Sequence, residues 1–284
     1  MLSSIILKPV KAIFGNRPGR GFLIAGTIIV LAVVIMAIFA PFIAPYNPTA
    51  ISSDTFSPPC WKHIMGTNRL GQDVFSRIVW GSRIILYVVL VATAFSMVLG
   101  IPVGLVSGYY GGKLDRVLST VMDSIYAFPA LILAIVIAVV LGPSPMNAAV
   151  AIAFVYVPTY FRMIRGQTLS LKGQLFVEAA KAIGARDREI MLKYILPNLI
   201  PTILVVFSLS VADAILTEAG LSFLGLSVTP PTPDWGYDLR VGQAFFLDGY
   251  WWLVFFPGLM IMLLAMAFAL IGEALSERTS TSAR

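Results

Sequence analysis

Uncharged apolar runs constrain this chain most. They recur at 21–45, 84–106, 117–141, up to Arg162, 197–218 and 249–271, broken by Pro, Gly and short charged stretches. Each comes close to the about 20 residues that a helix rising 1.5 Å per residue needs to cross a hydrocarbon core of ~30 Å. A segment this apolar is stable where no water competes for it, and inside lipid only a helix or a closed barrel satisfies the backbone. Runs of this length read as membrane-crossing helices. The sequence therefore predicts an all-α membrane protein with six transmembrane helices.

Composition agrees, since 58% of residues are hydrophobic and only 12% are charged, with a mean hydropathy of +0.88. A soluble surface cannot be built from that mixture. The net charge of +6 reads as membrane topology, because no basic–aromatic interleaving suggests nucleic acid. The single cysteine, Cys60, and the single histidine, His63, supply neither a disulfide nor a metal cluster. No metal site and no catalytic residue is expected.

Five divisions follow from the runs. Residues 1–20 form an N-terminal segment in which apolar and basic residues alternate, as in a short helix lying in the inner interface, with a disordered basic tail as the alternative. Residues 21–45 are a first helix, read as retained because they are too long for a removable signal and lack a small-residue cleavage site. Residues 46–83 form a polar loop, 84–272 a five-helix core that includes a charged loop at 166–197, and 273–284 a tail. Lys and Arg concentrate before the first span, at Lys113 and Arg116, between Arg162 and Lys193, and in the tail. Their retention on the cytoplasmic side predicts that both termini and the 166–197 loop lie inside, with 46–83 outside.

The charged loop is built to fold. Phe176 to Ile183 contains the helix formers Glu178, Ala179, Ala180 and Lys181, and Gly184 permits an abrupt change of direction. Asp187 and Glu189 then open a second short helix, predicted over 187–194, before Pro197 starts the fifth span. The predicted product is a helix-turn-helix knob that is charged on one side and carries Phe176, Ile183, Ile190 and Met191 on another. Such a knob suits docking to a soluble partner; a solvated connecting loop is the plainer alternative.

At this segment the chain resembles a known family. Glu178, Ala179, Ala180, Gly184, Leu196 and Pro197 match the E-A-A…G…I-x-L-P signature of permease subunits in binding-protein-dependent ABC importers, with Tyr194 at the usual Ile position. HIMGTNRLGQDVFSRIVWGSRIIL at 63–86 resembles the corresponding stretch of the C-type, DppC/OppC-like permeases of dipeptide, oligopeptide and nickel importers, although Asn68 and Gln72 replace the usual Asp and Arg. GYYGGKLDRVLSTVMDSIYAFPALIL and TEAGLSFLGL are also similar to that subfamily, so the likeness extends over nearly the whole chain after about residue 20.

The resemblance implies a type I ABC importer fold with a MetI-like permease core in a prokaryotic inner membrane. It implies a peptide substrate, a second homologous permease, two cytoplasmic ATP-binding subunits and an extracytoplasmic substrate-binding protein. Glu178, Ala179, Ala180, Gly184, Ala185, Arg186, Asp187, Leu196 and Pro197 would form the coupling element that sits in a groove of an ATP-binding subunit. ATP and magnesium would be held by those subunits, and this chain would bind no cofactor. The sequence contains no G-x-x-x-x-G-K-[ST] phosphate loop, which fits that division of labour. A nickel or metal-chelate permease of the same family is an alternative. An ion-coupled secondary transporter would carry inverted repeats and mid-membrane ion ligands that this sequence does not display, and a membrane scaffold would leave the C-type pattern unexplained.

Charged residues within spans mark candidate pathway positions. Asp123 lies near the inner end of the third span, within reach of Arg116 or a neighbouring subunit. Asp213, about 24 Å beyond Pro197 along a helix, is the candidate for meeting a peptide amine, against a plain interhelix contact. Glu218 is about 140° around the helix from Asp213, so separate roles are expected. Gly100, Gly104 and Gly108 suit close helix packing. Pro102, Pro129, Pro158 and Pro257 are expected to bend helices, and Tyr109, Tyr110, Tyr250, Trp251 and Trp252 to anchor at interfaces.

Overall fold

A computed structural model describes residues 19–282 of the chain. The expected N-terminal interfacial helix falls outside the described residues. Eleven α-helices and one π turn make up the described chain, which contains only one isolated β-bridge, between Thr67 and Asp73. By length and apolarity five helical stretches can cross a membrane, or six if one sharply bent pair counts as a single span.

The first span is α1 (Arg20–Ile38), followed by the single turn α2 (Ala40–Ile43). The second is the 37-residue helix α3 (Val74–Tyr110). It begins ten residues before the expected boundary at Ile84, because its polar first turns have partners. The Asp73 side chain caps it by accepting from the Ser76 amide at 2.7 Å, and Arg77 is bonded to Asp238.

The expected third span at 117–141 is not one helix. It divides into α4 (Gly112–Tyr126) and α5 (Ala130–Leu141), which meet at 88°. Pro129 is responsible, since it cannot donate to the preceding turn and disfavours helix at the residue before it. Pro102, Pro158 and Pro257 are instead accommodated inside continuous helices. No residue of α4 is buried.

The remaining elements are α6 (Pro145–Lys172), α7 (Leu175–Ala182), α8 (Asp187–Glu189), a π turn (Ile190–Ile195), α9 (Leu196–Phe223), α10 (Trp235–Gln243) and α11 (Trp252–Ser282). The helix predicted over 187–194 does not end before the fifth span. Asp187–Phe223 is one continuous helical run. Pro197 has no N–H for the Lys193 carbonyl, and the widened π turn lies just where that α-helical bond is missing.

α3 and α6 share the most extensive helix interface, and its register is set by glycine. A side-chain carbon at Gly100, Gly104 or Gly108 would lie 2.8, 2.7 or 2.8 Å from the carbonyl oxygens of Val157, Phe161 and Arg165 respectively. Three glycines at four-residue spacing thus seat on three carbonyls at the same spacing, and the backbones approach as they do where small residues line a helix contact.

Two hydrophobic cores result. The larger joins α3, α5, α6, α9 and α11 around Ile85, Ile152, Ile215 and Leu264. The smaller lies where the far end of α3 meets the 166–197 segment, around Leu105, Tyr109, Ile164, Ile190 and Leu199. The polar loop at 46–73 and the charged knob therefore sit at opposite ends of α3, about 55 Å apart at 1.5 Å per residue.

Candidate functional site

The knob is a folded unit with its own core. Gly184 stands at φ +81°, where the amides of Gly184 and Ala185 bond to the carbonyls of Lys181 and Ala180 at 2.9 and 3.0 Å. This paired closure ends α7 in a left-handed residue that glycine adopts without strain. Val177, Ala180, Ile190 and Met191 point inward with Ile195 and Leu199, and Phe176 packs against them. The apolar side predicted for docking is thus partly internal. Outward-facing groups are Glu178, Ala179, Gly184, Arg186 and Asp187, together with Leu175 at 82% and Ile183 at 78% exposure. Ala185 and Leu196 are half-buried, and Pro197 is exposed on the first turn of α9.

Tyr109 connects this knob to the membrane helices. It is 4% exposed, and its hydroxyl donates to Asp187 Oδ1 at 2.7 Å. The expectation that Tyr109 is an interface anchor is corrected: the tyrosine lies inside the small core, beside Lys172 and Lys181 at 5.8 and 5.9 Å from its ring. Trp252 is likewise no lipid anchor. It is buried, and its indole N–H donates to the Thr67 carbonyl at 3.2 Å, clasping the polar loop to α11.

Near the knob end of the helices, two Arg–Asp pairs tie α4 to α6. Arg165 bonds both oxygens of Asp115, at 2.5 and 2.7 Å. Asp123 pairs with Arg162 at 2.7 Å, not with Arg116, because the 88° break lays α4 across α6 and brings Arg162 to it. The Arg162 guanidinium also covers the Tyr126 ring at 4.0 Å.

Above these pairs the break opens a cavity of about 560 Å³, lined in part by Tyr126, Leu131, Tyr156, Thr159, Asp213 and Thr217. Asp213 is exposed on α9 and borders a second cavity, about 620 Å³, against α11. Among the described residues no side chain bonds to its carboxylate; only its carbonyl is engaged, by Thr217 Oγ1 at 2.9 Å. Tyr156 and Thr217 hydroxyls lie 3.2 Å apart on the cavity wall.

Glu218 turns the other way. It is fully buried, and Ser227 Oγ donates to its Oε1 at 3.0 Å. Beside it lies Asp234, also fully buried, which caps α10 by accepting from the Tyr237 amide at 3.0 Å and is bonded by Ser222 Oγ. Burial pushes the Asp234 carboxyl above its ordinary value, against the pull of those hydrogen bonds. One turn along α10, Asp238 receives Arg77 Nη2 at 2.6 Å and Nε at 2.9 Å. Sequence reasoning missed Asp234 and Asp238, although Asp234 after a Pro-rich run and before Trp-Gly-Tyr has the form of a helix N-cap.

In the 46–83 loop, Asn68 Nδ2 donates to Gln72 Oε1 at 2.8 Å, so a neutral amide pair stands where the family pattern carries an acid and a base. His63 Nδ1 lies 2.9 Å from Asp73 Oδ1, and Lys62 bonds Asp54, whose carboxyl its charge and hydrogen bond hold below the ordinary range.

Long apolar helices, a folded charged knob at one end of them and a polar loop at the other define a membrane permease subunit. The model of the binding-protein-dependent transport system inner membrane component family matches residues 100–281, and that of the N-terminal TM domain of oligopeptide transport permease C matches 22–59. The dipeptide transport system permease protein DppC of Alkalihalophilus pseudofirmus is 38% identical over 276 residues, covering 95% of this chain and 89% of that protein. DppC of Haemophilus influenzae is 37% identical over 271 residues, covering 93% and 91%. A solved chain of the MetNI methionine ABC transporter in an inward facing conformation superposes with a TM-score of 0.55 at 21% identity, covering 70% of this chain and 96% of that one. The chain belongs to the binding-protein-dependent transport system inner membrane component family.

Proposed function

We propose that this protein is one of two permease subunits of an ATP-driven importer of di- or oligopeptides, resident in a prokaryotic inner membrane with both termini cytoplasmic. Its relatives are named as dipeptide permeases across nine-tenths of their length, and that observation carries the substrate class. The second permease completes the pathway, an extracytoplasmic binding protein delivers the peptide to the 46–83 side, and two ATP-binding subunits drive the complex, one of them docked at this chain's knob.

The knob is the coupling element. Leu175 and Ile183 offer apolar contact, and Glu178, Arg186 and Asp187 offer charge around it. Closure of the ATP-binding subunits moves α7 and α8, and the Tyr109–Asp187 bond and the small core pass that movement to α3, α6 and α9. ATP and magnesium belong to the partner subunits. Asp213 is the pathway residue of this chain: a carboxylate without a counter-ion among the described residues, beside two cavities, is suited to a peptide ammonium group passing between the permeases. Asp123, already paired, has an architectural role near the inner end.

Affinity purification of the intact complex tests this reading. Glu178→Arg and Gly184→Pro should each lose the ATP-binding subunits while the second permease stays bound. Retention of the ATP-binding subunits by both variants rejects the coupling assignment.

A further inference from the structure

Glu218 and Asp234 are both fully buried, come from different elements, and each has one oxygen, Glu218 Oε2 and Asp234 Oδ2, that meets no hydrogen-bond donor. Their other oxygens take the hydroxyls of Ser227 and Ser222. Among the described residues no cation bonds to either group. Arg77, from α3, is committed to Asp238 on α10, to the Gln72 side chain and to the carbonyls of Pro48 and Pro231. Arg240, also on α10, lies against the Gly225 backbone. The remaining neighbours are neutral: Thr217 and Ser222 on α9, and Trp235 on α10, whose indole donates to the Ile78 carbonyl at 2.9 Å.

Two adjacent carboxylates cannot both be ionised in a dry site without a counter-ion, whereas one proton between them removes the repulsion and supplies the missing donor. The position matters because the pair fastens two ends of one loop. Glu218 lies near the outer end of α9, Gly225 at φ +81° ends that helix, and Asp234 starts α10. The ten-residue connection between them, 224–233, packs Leu226 and the buried Val228 inward, and its polar side-chain ties among the described residues are Ser227 to Glu218 and the Pro231 carbonyl to Arg77.

We propose that Glu218 and Asp234 form a one-proton binding site that locks the 224–243 segment onto the outer end of α9, and that loss of this proton releases the segment. The proton is taken from and returned to the outer solution, and no covalent change is involved. Because the folded pair holds a proton that the separated groups would release, the lock is complete at acidic pH. It is lost as pH rises through the pair's own titration. Deprotonation leaves two like charges enclosed, and the segment moves to admit water. Transport then becomes sensitive to external pH through this chain, independently of the knob.

Backbone hydrogen exchange of the purified complex in lipid nanodiscs at pH 6 and pH 9, corrected for intrinsic rates, tests this. Wild type should lose about tenfold or more of its protection over 224–243 at pH 9, with α3 unchanged. Glu218→Gln, which supplies a permanent donor without a charge, should match wild type at pH 6 and keep that protection at pH 9. Asp234→Asn keeps the helix cap and should do the same, so one variant suffices if the other fails to assemble. Three results overturn the proposal: wild-type protection that is flat between the two pH values, a pH 9 loss that is equal in wild type and variant, or recovery of wild-type protection at pH 9 on adding sodium or calcium, which would make this a metal-cation site.

Discussion

The Tyr109 hydroxyl donates to Asp187 Oδ1 at 2.7 Å, joining the last turn of α3 to the start of the helix that becomes α9. One phenol thus links two membrane helices with the knob between them, at the point where an ATP-binding subunit would push. Tyr109→Phe retains the ring in its core and deletes only this bond. A hydrogen bond to a charged group contributes about 1.5–3 kcal/mol, so substrate-stimulated ATP hydrolysis should fall several-fold while the ATP-binding subunits still co-purify. Unchanged stimulation in reconstituted vesicles would assign the bond to folding alone.

The α3–α6 seam leaves no room for a methyl group at its centre. Gly104→Ala places a carbon 2.7 Å from the Phe161 carbonyl oxygen, and over-packing of this kind costs about 1–3 kcal/mol. Gly166, on α6 with nothing within 4 Å of such a carbon, is the internal control. Thermal unfolding in detergent should show a lowered midpoint for Gly104→Ala and none for Gly166→Ala.

Arg77 and Asp238 form a pair in which the arginine is only 4% exposed. Removing one member of a buried pair leaves the other uncompensated and typically costs about 3–5 kcal/mol. Arg77→Ala should therefore reduce the yield of folded protein severely, and Asp238→Asn less so because its amide still accepts from the guanidinium. Membrane yield and thermal midpoint, read for the singles and the double variant, check the coupling between the two positions.

The pathway role proposed for Asp213 depends on the charge of the cargo. Asp213→Asn is expected to cut uptake of a dipeptide with a free amino terminus about tenfold, the loss of one charge-assisted bond, and to spare the N-acetylated peptide. Equal uptake of both peptides by wild type and variant removes the residue from the pathway.

Much of this was legible in the residues. Long uncharged runs, the E-A-A…G spacing and the four-residue glycine stripe encode local events: span, turn and seam. What was not legible depends on contact across the chain. Nothing near Tyr109 in the GYYGG stretch distinguishes an interface anchor from a donor to Asp187, because the acceptor lies 78 positions away. Asp123 has Arg116 nearby in sequence, yet the break at Pro129 delivers it to Arg162. Glu218 stands in the sequence only as a charge within a span, because Asp234 comes to it from a separate element. The start of α3 at Val74 was hidden because polar residues on a helix exterior to lipid look like loop until their partners are known.

The central claim is that the exposed face of the knob carries the ATP-binding subunits. Ile183 tests it most directly, since it is 78% exposed and outside the knob's core, so Ile183→Asp alters the docking face and leaves the fold intact. Pull-down of the tagged permease pair should recover the second permease in full and the ATP-binding subunits at under about a tenth of the wild-type amount, the loss that 1.4 kcal/mol or more at an interface produces. Wild-type recovery of the ATP-binding subunits with Ile183→Asp would contradict the account.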